Sequence, residues 1–132
     1  MNANSVTIVG RSSSHFTRTL RMLALELDVP HSLAPLYDLG SRAAADYAGN
    51  PALKIPILVT EAGPWFGALP AARELARRAR APQRIVWPEE VHDRLASNAQ
   101  ELVLSAMATE VQLLMGNAAG ASELPKVRAS LS

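Results

Sequence analysis

Cysteine is absent from this sequence of 132 residues. Without cysteine the protein forms no disulfide bond, offers no thiolate to a metal ion and performs no thiol redox chemistry with its own side chains. Histidine is scarce too, and His15, His31 and His92 lack the short spacing of metal ligands. The sequence therefore predicts no metal site.

A strong excess of one charge is also missing. The 13 lysines and arginines and the 12 acidic residues leave a net charge of +1, which gives no general attraction to nucleic acids or anionic membranes. No apolar run reaches the ~18 residues that a membrane-spanning helix needs, and residues 1–5 do not resemble a signal peptide. We therefore expect a soluble cytoplasmic protein without a nucleic-acid or membrane partner.

Apolar residues are plentiful, at 48%, which is enough for a core. Their spacing, with the positions of glycine and proline, predicts an α/β domain in the first 80 residues. The predicted order is strand 6–9, helix 14–27, strand 31–36, short helix 40–47, strand 54–59, a hairpin turn at 61–64 with a very short strand at 65–66, and helix 68–80. The helical connection between the first two strands favours a parallel pair.

The second part of the chain follows a linker at 81–88, which contains two prolines. Residues 89–132 form the second predicted region, with one long helix at 89–115 and a short helix at 126–131. Between 102 and 115 the apolar residues point in nearly every direction around the long helix, so the helix must be covered on all sides. We therefore predict a homodimer that forms through the 89–115 helix.

Three stretches carry a resemblance to a known family. They are SSSHFTRTLRM at 12–22, NPALKIPIL at 50–58, and the Trp87-Pro88 pair before the long helix. Together they are similar to the N-terminal domain of glutathione transferases of the serine type and to the entry of the helical second domain. The resemblance implies a thioredoxin-like βαβ-α-ββα domain, followed by one long helix of a truncated all-α domain.

The resemblance also implies a function and a site. Glutathione would be the co-substrate, and its thiolate would attack an unknown electrophile. Ser14 would stabilise the thiolate at the start of a helix, where the helix dipole adds about half a positive charge. Ile55 would bind the peptide backbone of glutathione, Pro56 would follow a cis peptide bond, and Lys54 would reach a carboxylate.

Two departures leave alternatives open. Gly67 and Ala68 stand where the family holds the glutamyl end of glutathione with an acidic residue and a serine, and neither supplies a carboxylate or a hydroxyl. The second domain has room for only one long helix. The chain could therefore be a non-catalytic dimerisation or docking module with a decayed site, or a shortened relative. Ser14 could likewise be a helix cap and nothing more.

Overall fold

The computed structural model describes residues 4–81 and 84–119. The chain divides into two units, one ending at Arg84 and the other beginning at Ile85. This division falls within the stretch that was predicted as a linker, 81–88. The short helix predicted at 126–131 lies outside the described residues.

The first unit is built on a mixed four-stranded sheet. Its strands are β1 (Val6–Gly10), β2 (His31–Pro35), β3 (Ile57–Thr60) and β4 (Gly63–Phe66). They lie in the order β2-β1-β3-β4. The β1–β2 pair is parallel, which confirms the prediction from the helical connection, and the other two pairs are antiparallel.

Two helices cover one face of this sheet. They are α1 (His15–Glu26) and α2 (Ala68–Arg78), and they pack against each other and against β1, β3 and β4. Ile8, Leu58, Leu20 and Leu75 are fully buried. Because successive residues of a strand point to opposite faces, the neighbours Val9 and Ile57 belong to the other side of the sheet.

A smaller apolar cluster lies on that other side. Its buried members are Leu36, Tyr47 and Ile57. The Tyr47 hydroxyl donates a hydrogen bond to the carbonyl oxygen of Leu39 at 3.2 Å and to that of Ser41 at 3.0 Å. These bonds tie the loop after β2 to the cluster, so an irregular segment can cover the second face of the sheet.

The contact between α1 and the end of β1 requires a glycine. A Cβ atom on Gly10 would lie 2.4 Å from Thr17 Oγ1, which is far inside van der Waals contact. Thr17 is itself fully buried, and its hydroxyl oxygen accepts a hydrogen bond from the Arg11 backbone N–H at 3.4 Å. The close approach fixes where α1 begins relative to β1.

Several predicted elements are shorter in the structure. The helix predicted at 40–47 is a single 3₁₀ turn at Ala44–Tyr47, β3 begins at Ile57 rather than at residue 54, and α2 ends at Arg78 rather than at residue 80. The late start of β3 has a local cause, because the carbonyl of Lys54 is bound by the side chain of Asn50 and not by a neighbouring strand.

The second unit contains a 3₁₀ turn at Pro88–Glu90 and the helix α3 (Arg94–Ala119). The prediction of one helix over 89–115 was therefore wrong at both ends. Asp93 Oδ2 accepts a hydrogen bond from the Ala96 N–H at 2.8 Å, and such a cap starts the helix later. Among the described residues, no helix is long and apolar enough to cross a membrane.

Candidate functional site

The register of the sheet brings three separate segments together at one end of the strands. Val9 pairs with Ile57, and Ile57 pairs with Phe66. The residues that follow β1, precede β3 and follow β4 therefore meet at the same end of the sheet. We call this end the open edge and define it by residues 11–14, 54–56 and 67–68. Every residue that the sequence proposed for the site belongs to it.

Ser14 is the N-cap of α1. Its Oγ accepts a hydrogen bond from the Thr17 backbone N–H at 3.2 Å, and its backbone N–H donates to the Arg11 carbonyl at 3.0 Å. The side chain is half-buried. A hydroxyl has two acceptor lone pairs and one proton, so the capping bond leaves the Ser14 proton available for an anion. The geometry fits both a cap and a thiolate-stabilising group.

The segment before β3 presents backbone groups at this edge. Ile55 is half-buried and its peptide bond to Pro56 is cis. None of the hydrogen bonds among residues 4–81 uses the backbone N–H or C=O of Ile55. A backbone N–H and C=O without a protein partner can pair with an extended backbone that approaches the open edge.

Lys54 lies beside Ile55 with an exposed side chain. Its carbonyl oxygen accepts a hydrogen bond from Asn50 Nδ2 at 2.9 Å, so the backbone of Lys54 is fixed while its ammonium group is in solvent. An exposed lysine can form an ion pair with a carboxylate of a bound molecule, and it is equally stable as a hydrated side chain without a partner.

The third segment begins α2 without a side-chain cap. Gly67 is the N-cap, with φ of 86°, and its backbone N–H donates to the Pro56 carbonyl at 3.1 Å. A Cβ atom on Gly67 would meet only Pro70 Cδ, at 3.9 Å. Ala68 opens the helix with a methyl group. This part of the open edge therefore offers backbone groups but no carboxylate or hydroxyl.

A cluster of ion pairs lies away from the open edge, on α2 and the β3–β4 turn. Glu74 is buried; its Oε1 accepts from Arg78 Nε at 2.8 Å and its Oε2 accepts from Arg77. Arg78 also binds Glu61 at 2.7 Å. We call Glu61, Glu74, Arg77 and Arg78 the ion-pair cluster.

These contacts shift the titration of the cluster. Burial by itself raises the pKa of Glu74, but the hydrogen bonds from Arg77 and Arg78 outweigh burial, so this pKa lies below its ordinary value. The hydrogen bond with Glu61 raises the pKa of Arg78, and the same bond lowers the pKa of Glu61. Each charged group of the cluster has an oppositely charged partner within the cluster, so we interpret the cluster as a structural feature.

Sequence reasoning missed one residue that shapes the open edge. Asn50 belongs to the motif at 50–58, and its buried amide holds the loop before Ile55. The signal was the Asn-Pro pair, since asparagine often binds its own loop backbone before a proline. The described residues contain no group of three or more His, Asp or Glu side chains that could hold a metal ion.

No model of a known protein family matches the chain, and no curated protein matches it.

Proposed function

We propose that this chain is a glutathione-transferase-like protein whose first unit is a thioredoxin-like domain that binds glutathione at the open edge. The observation that carries the proposal is the Ile55 backbone. It has no partner among residues 4–81 and lies at the same end of the sheet as the hydroxyl of Ser14. A backbone that pairs with a peptide beside a helix start suits a small thiol peptide.

In this proposal each residue has one task. The Ile55 N–H and C=O pair with the cysteinyl part of glutathione as an added strand would. Lys54 receives a carboxylate. The backbone of Gly67 and Ala68, at the start of α2, faces the glutamyl end. Ser14 donates its proton in a hydrogen bond to the sulfur of glutathione.

The proposed chemistry is the addition of a thiolate to an electrophile. A free thiol ionises near pH ~8.5, so the anion must be stabilised at neutral pH. The thiol proton leaves to solvent, the sulfur lone pair forms a bond to the electrophilic carbon, and the group displaced from that carbon leaves with the electron pair. Ser14 and the first turn of α1 favour the anion by a hydrogen bond and by the helix dipole.

The second candidate is a docking module that keeps the fold without the chemistry. Two observations favour it, namely the capping bond that Ser14 Oγ already accepts and the lack of a side chain on Gly67. The two candidates differ in whether glutathione binds at all.

Calorimetric titration with glutathione separates the candidates. If the glutathione-transferase-like function is right, glutathione should bind in the micromolar to millimolar range. The protein should also conjugate glutathione to an activated aryl chloride, and the rate of this reaction should fall about 100-fold in Ser14→Ala. Ser14→Thr keeps a hydroxyl and is the matched control. No binding at several millimolar would favour the docking module, and unchanged conjugation in Ser14→Ala would remove Ser14 from the mechanism.

We further propose that a second copy of the chain covers α3. The helix has no buried residue among those whose side chains are described. Its exposed large apolar side chains are Leu95, Leu102, Val103, Leu104, Val111, Leu114 and Met115. Seven large apolar side chains exposed along one helix favour an interaction surface. Only three charged residues lie within α3, so two copies can pair without strong repulsion. Sedimentation velocity should show a dimer for the wild type, and Leu114→Glu should weaken that dimer. If the wild type is a stable monomer, like Leu114→Glu, this proposal is contradicted.

A further inference from the structure

We infer that Asn50 is the positioning residue of the glutathione site, because its buried amide sets the path of the backbone that ends at Ile55. This inference rests on the proposed function and adds a residue to it. It concerns the segment between the 3₁₀ turn at Ala44–Tyr47 and β3, which contains no helix or strand of its own.

Asn50 makes the hydrogen bonds that shape this segment. Its Oδ1 accepts from the Ala52 N–H at 3.0 Å, its Nδ2 donates to the Lys54 carbonyl at 2.9 Å, and its backbone carbonyl accepts from the Leu53 N–H at 3.1 Å. One residue thus contacts each of residues 52, 53 and 54. Asn50 also donates its own N–H to the Tyr47 carbonyl at 3.0 Å, which anchors the segment to the apolar cluster.

The burial of Asn50 makes these bonds obligatory. Only 4% of the residue is exposed, and a buried amide that loses its partners costs free energy because water cannot replace them. The segment also contains Leu53 with φ of 53°, a left-handed conformation that a leucine adopts only when its surroundings hold it there. The amide of Asn50 supplies that constraint.

The bond to Lys54 bears most directly on ligand binding. The Lys54 carbonyl belongs to the peptide unit whose N–H is that of Ile55. Holding the oxygen of this unit with Asn50 Nδ2 therefore also fixes the direction of the Ile55 N–H, which has no partner among residues 4–81. A donor that is already oriented binds a ligand without a further loss of conformational entropy.

Thr60 provides a matched control at the other end of β3. It is buried, with 8% exposed, and its hydroxyl donates to the Gly63 carbonyl at 2.9 Å and accepts from the Ala62 N–H at 3.2 Å. Its side chain holds a turn much as Asn50 does, but that turn lies at the end of the sheet opposite the open edge. We therefore expect a substitution of Thr60 to lower stability without changing the orientation of the Ile55 N–H at the open edge.

The test compares Asn50→Ala, Asn50→Asp and Thr60→Val in the full chain. Calorimetry gives the Kd for glutathione, and urea unfolding gives the stability of each variant. We expect Asn50→Ala to raise Kd about tenfold and Thr60→Val to leave Kd within twofold at a comparable loss of stability. Asn50→Asp keeps the acceptor for the Ala52 N–H but loses the donor to the Lys54 carbonyl, so its Kd should rise as in Asn50→Ala.

Catalysis gives a second readout that general destabilisation does not produce. In the conjugation assay, Asn50→Asp should raise the KM for glutathione while kcat at saturating glutathione stays within twofold, because Ser14 and α1 are untouched. An unchanged Kd in both Asn50 variants would overturn the inference alone, as would an equal rise in Thr60→Val. Absence of glutathione binding by the wild type would overturn the proposed function and this inference together, and the wild-type titration is read first.

Discussion

The two ends of the β3–β4 hairpin are held in different ways. At the turn end, Thr60 binds both sides of the turn and Glu61 reaches Arg78 at 2.7 Å. At the open edge, the only bond that links the two strand ends beyond the ladder, among residues 4–81, is the one from the Gly67 N–H to the Pro56 carbonyl. The turn end is therefore held together by side chains, including the Glu61–Arg78 ion pair, whereas the open edge exposes backbone hydrogen-bonding groups.

This difference shows where the unit is stabilised and where it can bind. The two side chains at the centre of the ion-pair cluster, Glu74 and Arg78, bind each other and are only 4% and 9% exposed, so little of them is accessible to a ligand. The backbone groups of Ile55, which have no partner among residues 4–81, remain able to form hydrogen bonds with a ligand. We therefore expect substitutions at the turn end to change stability alone, whereas substitutions at the open edge, such as those of Ser14 and Asn50, should change ligand binding or conjugation in addition to stability.

The largest effect is expected in the ion-pair cluster. Glu74→Ala should lower the free energy of unfolding by about 3 kcal/mol, because it leaves the buried Arg78 with one carboxylate instead of two. Urea unfolding followed by circular dichroism measures the loss, and glutathione affinity should not change. Glu61→Ala is the control, since the Glu61 side chain is 64% exposed and its ion pair should contribute less. Equal losses in the two variants would contradict this ranking.

The next effect concerns the contact that places α1 at the open edge. Gly10→Ala should lower the free energy of unfolding by about 2 kcal/mol, because the added methyl would lie 2.4 Å from Thr17 Oγ1. Thermal or urea unfolding gives the value.

A double-mutant cycle checks the cause of that loss. In the double variant Gly10→Ala, Thr17→Ala the two clashing groups no longer meet, so its loss should be smaller than the sum of the two single losses. Strict additivity would mean that Gly10 is needed for some reason other than its approach to Thr17.

A smaller effect separates the two roles of Ser14. Ser14→Ala should lower the free energy of unfolding by about 1 kcal/mol through loss of the N-cap. Ser14→Asp retains an oxygen that can accept the Thr17 N–H, so stability should return, but its negative charge opposes a thiolate and conjugation should stay low. Recovery of conjugation in Ser14→Asp would show that capping alone explains the residue.

The first half of the fold could be predicted because its signals are local. β-branched residues marked β1, helical spacing marked α1, and the hydroxyl at Ser14 marked where that helix begins. The parallel pairing followed from the helical connection between β1 and β2. Each of these inferences needed only neighbouring residues.

Predictions failed where a side chain competes with backbone pairing. Asn50 binds the Lys54 carbonyl, so β3 begins three residues later than its apolar pattern indicates. Asp93 caps α3 after a separate 3₁₀ turn at Pro88–Glu90. The helix therefore begins later than residue 89, which was the predicted start because no glycine or proline interrupts the stretch that follows. The partnerless state of Ile55 could not be predicted either, since it depends on which strands meet at the open edge.

The smallest effect is a pH dependence that the ion-pair cluster gives to stability. The pKa of Glu74 in the folded protein lies below its ordinary value of 4.5. The carboxylate therefore stabilises the fold fully above about that pH, and this contribution is lost as the pH falls through the lower pKa of the folded state. We expect the free energy of unfolding of wild type to exceed that of Glu74→Gln at neutral pH and to converge with it in acid. The effect is smaller than that of Glu74→Ala because protonation and amide substitution both leave the side chain packed. Urea titrations from pH 7 to about pH 3 measure it, with Glu61→Gln as the exposed control, and a gap that widens as the pH falls would refute the assignment to Glu74.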